Sequence, residues 1–137
     1  MNLISIQDDG ARPRLLIVED ELLIALALCD KLGRLGCDVI GPAPTVAKAL
    51  SLIETEPPDA ALLDENLDGV SVAPVALELS RRQIPFAVVS GHSRSPSNEP
   101  VLQKASRAPK PATLAQIERV LQDLLYNSQS VPFTWRG

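Results

Sequence analysis

Five residues with reactive or ligating side chains stand where short apolar runs end. Glu19 and Asp20 follow Leu15-Leu16-Ile17-Val18, Asp64 follows Ala60-Ala61-Leu62-Leu63, and Ser90 follows Phe86-Ala87-Val88-Val89. Lys110 comes just before the last helical pattern. Three carboxylates brought within a few Å repel one another, since each raises the pKa of its neighbour. A cation must therefore sit among them. A hard divalent ion accepts carboxylate oxygens, and Mg²⁺ is held by one or two carboxylates with water and phosphate. Glu19, Asp20 and Asp64 carry three negative charges, which Mg²⁺ and Lys110 together balance. A neutral pocket of that kind can take up a phosphoryl group. Each residue also has a plainer reading. Asp64 could simply open a turn with Gly69, Glu19 and Asp20 could complement a helix dipole, and Ser90 could be a turn residue before Gly91. Lys110 has a rival in Lys104, which follows Val101-Leu102-Gln103.

Strands and helices must alternate to bring these positions together, and the hydrophobic pattern alternates accordingly. Arg14–Val18 is a continuous apolar strand of the kind covered on both faces. From Leu22 a helix carries the stripes Leu22, Leu26, Cys29 and Leu28, Leu32, Leu35, with Gly33 and Gly36 as its stop. Asp38-Val39-Ile40 is a short second strand broken by Gly41-Pro42-Ala43-Pro44, and Thr45 caps a helix to about Glu56 that Pro57-Pro58 closes. A third strand ends at Asp64, followed by a loop through Gly69. A third helix runs roughly from Ser71 to Gln83 with Pro74 in its first turn. Pro85 to Val89 is the fourth strand, and Ser93 to Pro100 a long loop. Val101 to Lys104 fits a short helix or a strand equally well. The capping box Thr113-x-x-Gln116 opens a helix from about Leu114 to Tyr126. In an open parallel sheet, functional groups collect at the carboxyl ends of the strands.

The chain has 137 residues, 45% of them apolar, the size of one ordinary domain. Thirteen Lys and Arg against seventeen Asp and Glu leave a net charge of −4, so no basic surface favours nucleic acid. Aromatic residues are only 3%, which removes stacking platforms for bases. No apolar run approaches the roughly 20 residues of a membrane span. The start lacks a signal-peptide pattern, and two cysteines, Cys29 and Cys37, make no disulfide framework. The expected compartment is the cytoplasm, and both thiols are expected to be inert.

The acidic pair in Leu-Leu-Ile-Val-Glu19-Asp20, Leu62-Leu63-Asp64, Ser90 and Lys110-Pro111, in this order on these strands, resembles the receiver domains of two-component response regulators. The resemblance covers residues 14 to about 126. Gly41-Pro42, Asp64-x-Asn66-Leu67-x-Gly69 and Pro85-Phe86 leading into Ser90-Gly91 are similar to the FAT GUY subgroup of stand-alone receivers. The resemblance implies an α/β fold, a doubly wound five-stranded parallel sheet of CheY-like, flavodoxin-like order 2-1-3-4-5 with helices on both faces. It implies that Asp64 is the phosphoacceptor, attacking a phosphohistidine. It also implies that Asp20 and Asp64 ligate Mg²⁺ directly, Glu19 through water, and Asn66 by its backbone carbonyl. Lys110 and Ser90 are then partners of the phosphoryl oxygens.

The domain is expected at 13–126, with tails at 1–12 and 127–137 too short for an attached output, so the output is expected in another protein. The implied partners are a histidine kinase or histidine phosphotransfer protein and a downstream protein target, with no direct nucleic acid or membrane contact. The signalling face is expected around the fourth helix, fifth strand and fifth helix, which is also the face a homodimer would use. Such a chain promotes its own phosphorylation and dephosphorylation without being a turnover enzyme, and serves as a signal transmitter or a phosphorelay shuttle. Two departures stand out. The usual aromatic residue three positions before the lysine is Arg107, and Pro109 sits inside the fifth strand, which predicts a short or edge strand. These keep a receiver-like interaction module that is never phosphorylated as an alternative. A haloacid-dehalogenase-like phosphohydrolase is a second alternative, although it wants an Asp where Asn66 stands. Asp68 and Arg81-Arg82 are expected to be solvated, and His92 to be a loop residue.

Overall fold

A computed structural model of the chain describes residues 12–91 and 95–127. His92, nearly all of both expected tails and part of the loop after the fourth strand lie outside the described residues. Five strands form one parallel sheet: β1 (Arg14–Val18), β2 (Asp38–Ala43), β3 (Ala60–Asp64), β4 (Phe86–Ser90) and β5 (Ser106–Pro109). Their order is β2-β1-β3-β4-β5, the doubly wound order expected. Helices α1 (Leu22–Arg34) and α5 (Leu114–Gln122) cover one face. Helices α2 (Val46–Thr55), α3 (Ala73–Arg81) and α4 (Pro100–Gln103) cover the other.

Alternation along the strands divides the core into two layers. Leu15, Ile17, Leu62, Ala87, Val89 and Ala108 pack on α1 and α5. Leu16, Val18, Leu63 and Val88 pack on α2, α3 and α4. Because both faces are covered, the strands read as continuous apolar runs. Two expected helix starts are confirmed by their caps. Thr45 Oγ1 accepts from Lys48 N at 3.1 Å, and Thr113 and Gln116 make the reciprocal capping box. The segment that fitted helix or strand equally is the single-turn α4, and a π-helical turn at Asp123–Asn127 prolongs α5.

Three local readings are corrected. The Gly41-Pro42 pair does not end β2, which runs on to Ala43. β2 is an edge strand, where a missing proline N–H costs little, and a register shift between Leu16 and Val18 absorbs the irregularity. The stripe Leu22, Leu26 does not face the sheet: those side chains are 65% and 50% exposed. A helix offers one stripe to a flat partner, and in α1 the buried set is Ala25, Leu28 and Leu32. The loop after Asp64 contains a two-stranded hairpin, Asn66–Leu67 with Val70–Ser71. Asp68 and Gly69 turn it with φ of 54° and 89°, the left-handed pair a two-residue hairpin turn requires.

Gly41 is held at φ +97°, and a Cβ there would stand 2.8 Å from Ala43 N and 3.0 Å from Ile17 O, both backbone atoms. Gly41→Ala is therefore expected to destabilise the fold by roughly 1–3 kcal/mol. Gly33, inside α1 with nothing within 4 Å of its would-be Cβ, supplies the contrast. Gly33→Ala should stabilise by roughly 0.5–1 kcal/mol. Urea unfolding of the two variants checks the opposite signs.

Candidate functional site

Parallel register places the site. Val18 pairs with Leu63, so the next residues, Glu19 and Asp64, emerge side by side at the carboxyl rim. Asp64 pairs with Val89, and Ser90 with Pro109, which puts Ser90 and Lys110 on the same rim from β4 and β5. Of the two lysines weighed from the sequence, Lys110 reaches the acids. Its Nζ lies 3.1 Å from Glu19 Oε1 and 3.3 Å from Asp64 Oδ1. Lys104 caps α4 and is exposed. The Lys110-Pro111 peptide is cis.

Glu19 is 2% exposed. Its Oε2 accepts from Glu21 N at 3.1 Å, at the start of α1, where the helix dipole favours negative charge. Its Oε1 is buried and faces the Lys110 ammonium at 3.1 Å. Asp64 is pushed up to about 7, first by burial and then by the Glu19 carboxylate. Lys110 pulls it down, and a hydrogen bond with Asp20 raises it again. Burial pulls Lys110 down, yet Glu19 and Asp64 outweigh it and hold the ammonium above its ordinary value. The site therefore carries more negative charge than one lysine offsets.

Glu19, Asp20 and Asp64 each offer an oxygen, and the offered atoms all lie within 4.8 Å of one another. Three carboxylates gathered this closely against a single lysine make a donor set that fits a hard divalent ion. The cluster borders an open cleft of about 550 Å³ whose lining includes Asp64, Asn66, Ser90, Pro96, Ser97 and Lys110. Asn66 Oδ1 accepts from Gly69 N at 2.6 Å, so its side chain serves the hairpin turn.

Sequence reasoning passed over Glu65. It is buried, and its carboxylate joins two elements: Arg107 Nη2 of β5 donates to Oε1 at 3.0 Å, and Ser95 Oγ donates to Oε2. The signal was present in Arg107, a cation inside a core strand, which needs an opposite charge within reach. Among the solvated groups, Arg81 and Arg82 are not free helix-end charges. Both bind Glu78, which their hydrogen bonds hold at about 2. Burial raises both thiols, Cys37 to about 11, consistent with unreactive cysteines.

No protein-family model matches the chain. The transcriptional regulatory protein PdtaR of Mycobacterium tuberculosis is 33% identical over 90 residues, which are 63% of this chain. The match spans 43% of the length of PdtaR. The structure of SdrG from Pseudomonas melonis Fr1 in its BeF3-activated conformation is 40% identical, with a TM-score of 0.70 over 82% of this chain and 95% of SdrG. A CheY-like response regulator receiver domain from Methylobacillus flagellatus superposes with a TM-score of 0.72 at 25% identity, covering 83% of this chain and 99% of that domain. With the sheet order and the rim cluster, these likenesses establish that the chain belongs to the CheY-like receiver domains of response regulators.

Proposed function

We propose that the chain accepts a phosphoryl group on Asp64 from a phosphohistidine of a histidine kinase or phosphotransfer protein. The observation that carries this reading is the meeting of Asp64, Glu19 and Lys110 at one rim. An Asp64 carboxylate oxygen forms the new bond to phosphorus. The phosphorus–nitrogen bond of the donor breaks, and its electron pair leaves with the imidazole, which is then protonated. Asp20 and Asp64 would hold Mg²⁺, with Glu19 through water and the Asn66 backbone carbonyl completing the set. Bound there, the ion neutralises charge on the transferring group. Lys110, freed from Asp64, pairs with one phosphoryl oxygen, and the Ser90 hydroxyl donates to another. Such a site needs positioned charge and little covalent help.

The product is a modified protein and not a released metabolite, so the chain acts as a signalling acceptor and not as a turnover enzyme. Signal transmission to a separate protein and shuttling within a phosphorelay both fit this role in the cytoplasm. No helix among the described residues is long and apolar enough to cross a membrane. The hydrolase alternative loses its support because Asn66, where that chemistry wants an acid, spends its side chain on Gly69. Dimerisation through the α4–β5–α5 face remains part of the proposal.

Incubation with acetyl phosphate and Mg²⁺ should give one acid-stable, base-labile modification per chain on a phosphate-retarding gel. Asp64→Asn should abolish it, and Lys110→Met should slow it about 100-fold, the usual cost of one charge-stabilising donor. Absence of modification would favour the interaction module, and sustained hydrolysis of phosphate esters the hydrolase.

The acidity of Asp64 supplies a second test. Folding raises it from 3.8 to about 7, so the folded chain keeps a proton that the unfolded chain loses. Where the native state binds more protons, stability falls as pH rises. The contribution is therefore greatest below about 4, declines up to about 7 and is flat above that. Thermal midpoints measured in EDTA should show this decline in the unaltered chain and lack it in Asp64→Asn. At pH 8, Mg²⁺ should raise the midpoint of the unaltered chain and leave that of Asp64→Asn nearly unchanged.

A further inference from the structure

Glu65 follows the proposed acceptor directly and is charged, buried and shared. The side chains of the Glu65–Arg107 pair are 7% and 14% exposed. A buried ion pair is a poor choice for stability alone, since apolar groups of like volume serve as well or better. Its position suggests another use. β4 lies between β3 and β5, so the pair crosses the carboxyl end of β4. Leu63 pairs with Val88 and Val88 with Arg107, so these three share the face toward α2, α3 and α4. Strand alternation puts Ser90 on that face too, two residues beyond Val88.

The same carboxylate also holds the segment that lines the cleft. Ser95 Oγ donates to Glu65 and accepts from Ser97 N at 3.1 Å. Ser97 O accepts from Gln103 Nε2 of α4 at 2.9 Å. Glu99 Oε1 accepts from Ser97 Oγ at 3.1 Å and from Ser71 Oγ of the hairpin at 2.9 Å. An uninterrupted chain of polar contacts thus runs from β5 through Glu65 to residues 95–99 and α4, and Pro96 and Ser97 form part of the cleft wall.

We propose that Glu65 and Arg107 are positioning residues whose ion pair latches the 95–99 segment and α4 in place in the unphosphorylated chain, and that phosphorylation of Asp64 releases this latch. The proposal rests on the acceptor reading of Asp64. Phosphorylation turns the singly charged Asp64 carboxylate into an acyl phosphate of roughly two negative charges, one peptide bond from Glu65. In a buried setting, repulsion between those charges and the Glu65 carboxylate weakens its hold on the Ser95 hydroxyl. The segment then detaches from β5, and α4 moves with it.

Backbone deuterium exchange at residues 95–104, with and without beryllofluoride and Mg²⁺, tests the latch. In the unaltered chain, beryllofluoride should speed exchange there about tenfold, the signature of a local opening. The charge-free double variant Glu65→Gln/Arg107→Gln should exchange fast in both conditions. Ser95→Ala, which leaves the buried pair intact, should do so as well and covers the case in which the double variant does not fold. A pair that only stabilised the fold would lower the thermal midpoint and leave the beryllofluoride step in place, and that result overturns the latch. Acetyl phosphate labelling of the unaltered chain is read separately: no label on Asp64 overturns the acceptor reading, whereas a label with unchanged exchange overturns the latch alone.

Discussion

Three carboxylates share a space that one lysine only partly neutralises, and much of the architecture is arranged around that imbalance. Two unit charges 4 Å apart interact by about 4 kcal/mol at the effective dielectric of a protein surface. Glu19 cannot escape this by turning to water, because it is buried and anchored through Oε2 to the start of α1. Lys110 offsets part of this charge, and burial together with the Glu19 carboxylate raises the affinity of Asp64 for a proton. Both devices are reversible. A proton leaves when a cation arrives, and a lysine on a flexible stem can turn from a carboxylate to a phosphoryl oxygen. The site is poised to exchange these partners because its resting neutrality is borrowed from groups that can move.

Sheet order follows from the same requirement. The rim must receive acids from β1 and β3 and a cation from β5, while β4 stands between β3 and β5. Only a parallel sheet sends the ends of all these strands to one side, and its crossovers need helices on both faces. The two core layers thus do more than supply burial. They fix the register of Val18 against Leu63 and of Ser90 against Pro109, on which the side-by-side emergence of Glu19 and Asp64 depends.

Strand-end acids and apolar runs were legible in the sequence because each is a local pattern. The rim cluster followed from knowing that such runs lie parallel, and the caps at Thr45 and Thr113 from side chains that bond three residues on. What escaped was non-local or a matter of backbone detail. Glu65 looks like a loop acid until Arg107, 42 positions away, is seen against it. β2 passes through Gly41-Pro42 because it is an edge, and edges are defined by what is absent alongside them. Both stripes on α1 have helical spacing, and only the sheet decides that Ala25, Leu28 and Leu32 face inward while Leu22 and Leu26 do not. Asp68-Gly69 was a readable hairpin turn, obscured because its strands have only two residues each.

β5 and the residue that follows it carry the two cations of this system three residues apart, and their chemistries suit different tasks. Lys110 is a compact charge that can follow whichever anion is present. Arg107 presents a planar fork that holds one carboxylate in a set geometry. Exchanging them would misplace both functions, with a rigid fork where a partner must be released and a loose charge where an element must be held. In this chain the β5 position that usually carries an aromatic residue is ionic, and its counter-ion is the neighbour of the proposed acceptor. A charge placed on Asp64 is therefore felt by Glu65 at once, through electrostatics across a peptide bond. Transmission to α4 then requires no ring to rotate, only a hydrogen-bonded segment whose anchor is an anion placed beside another anion.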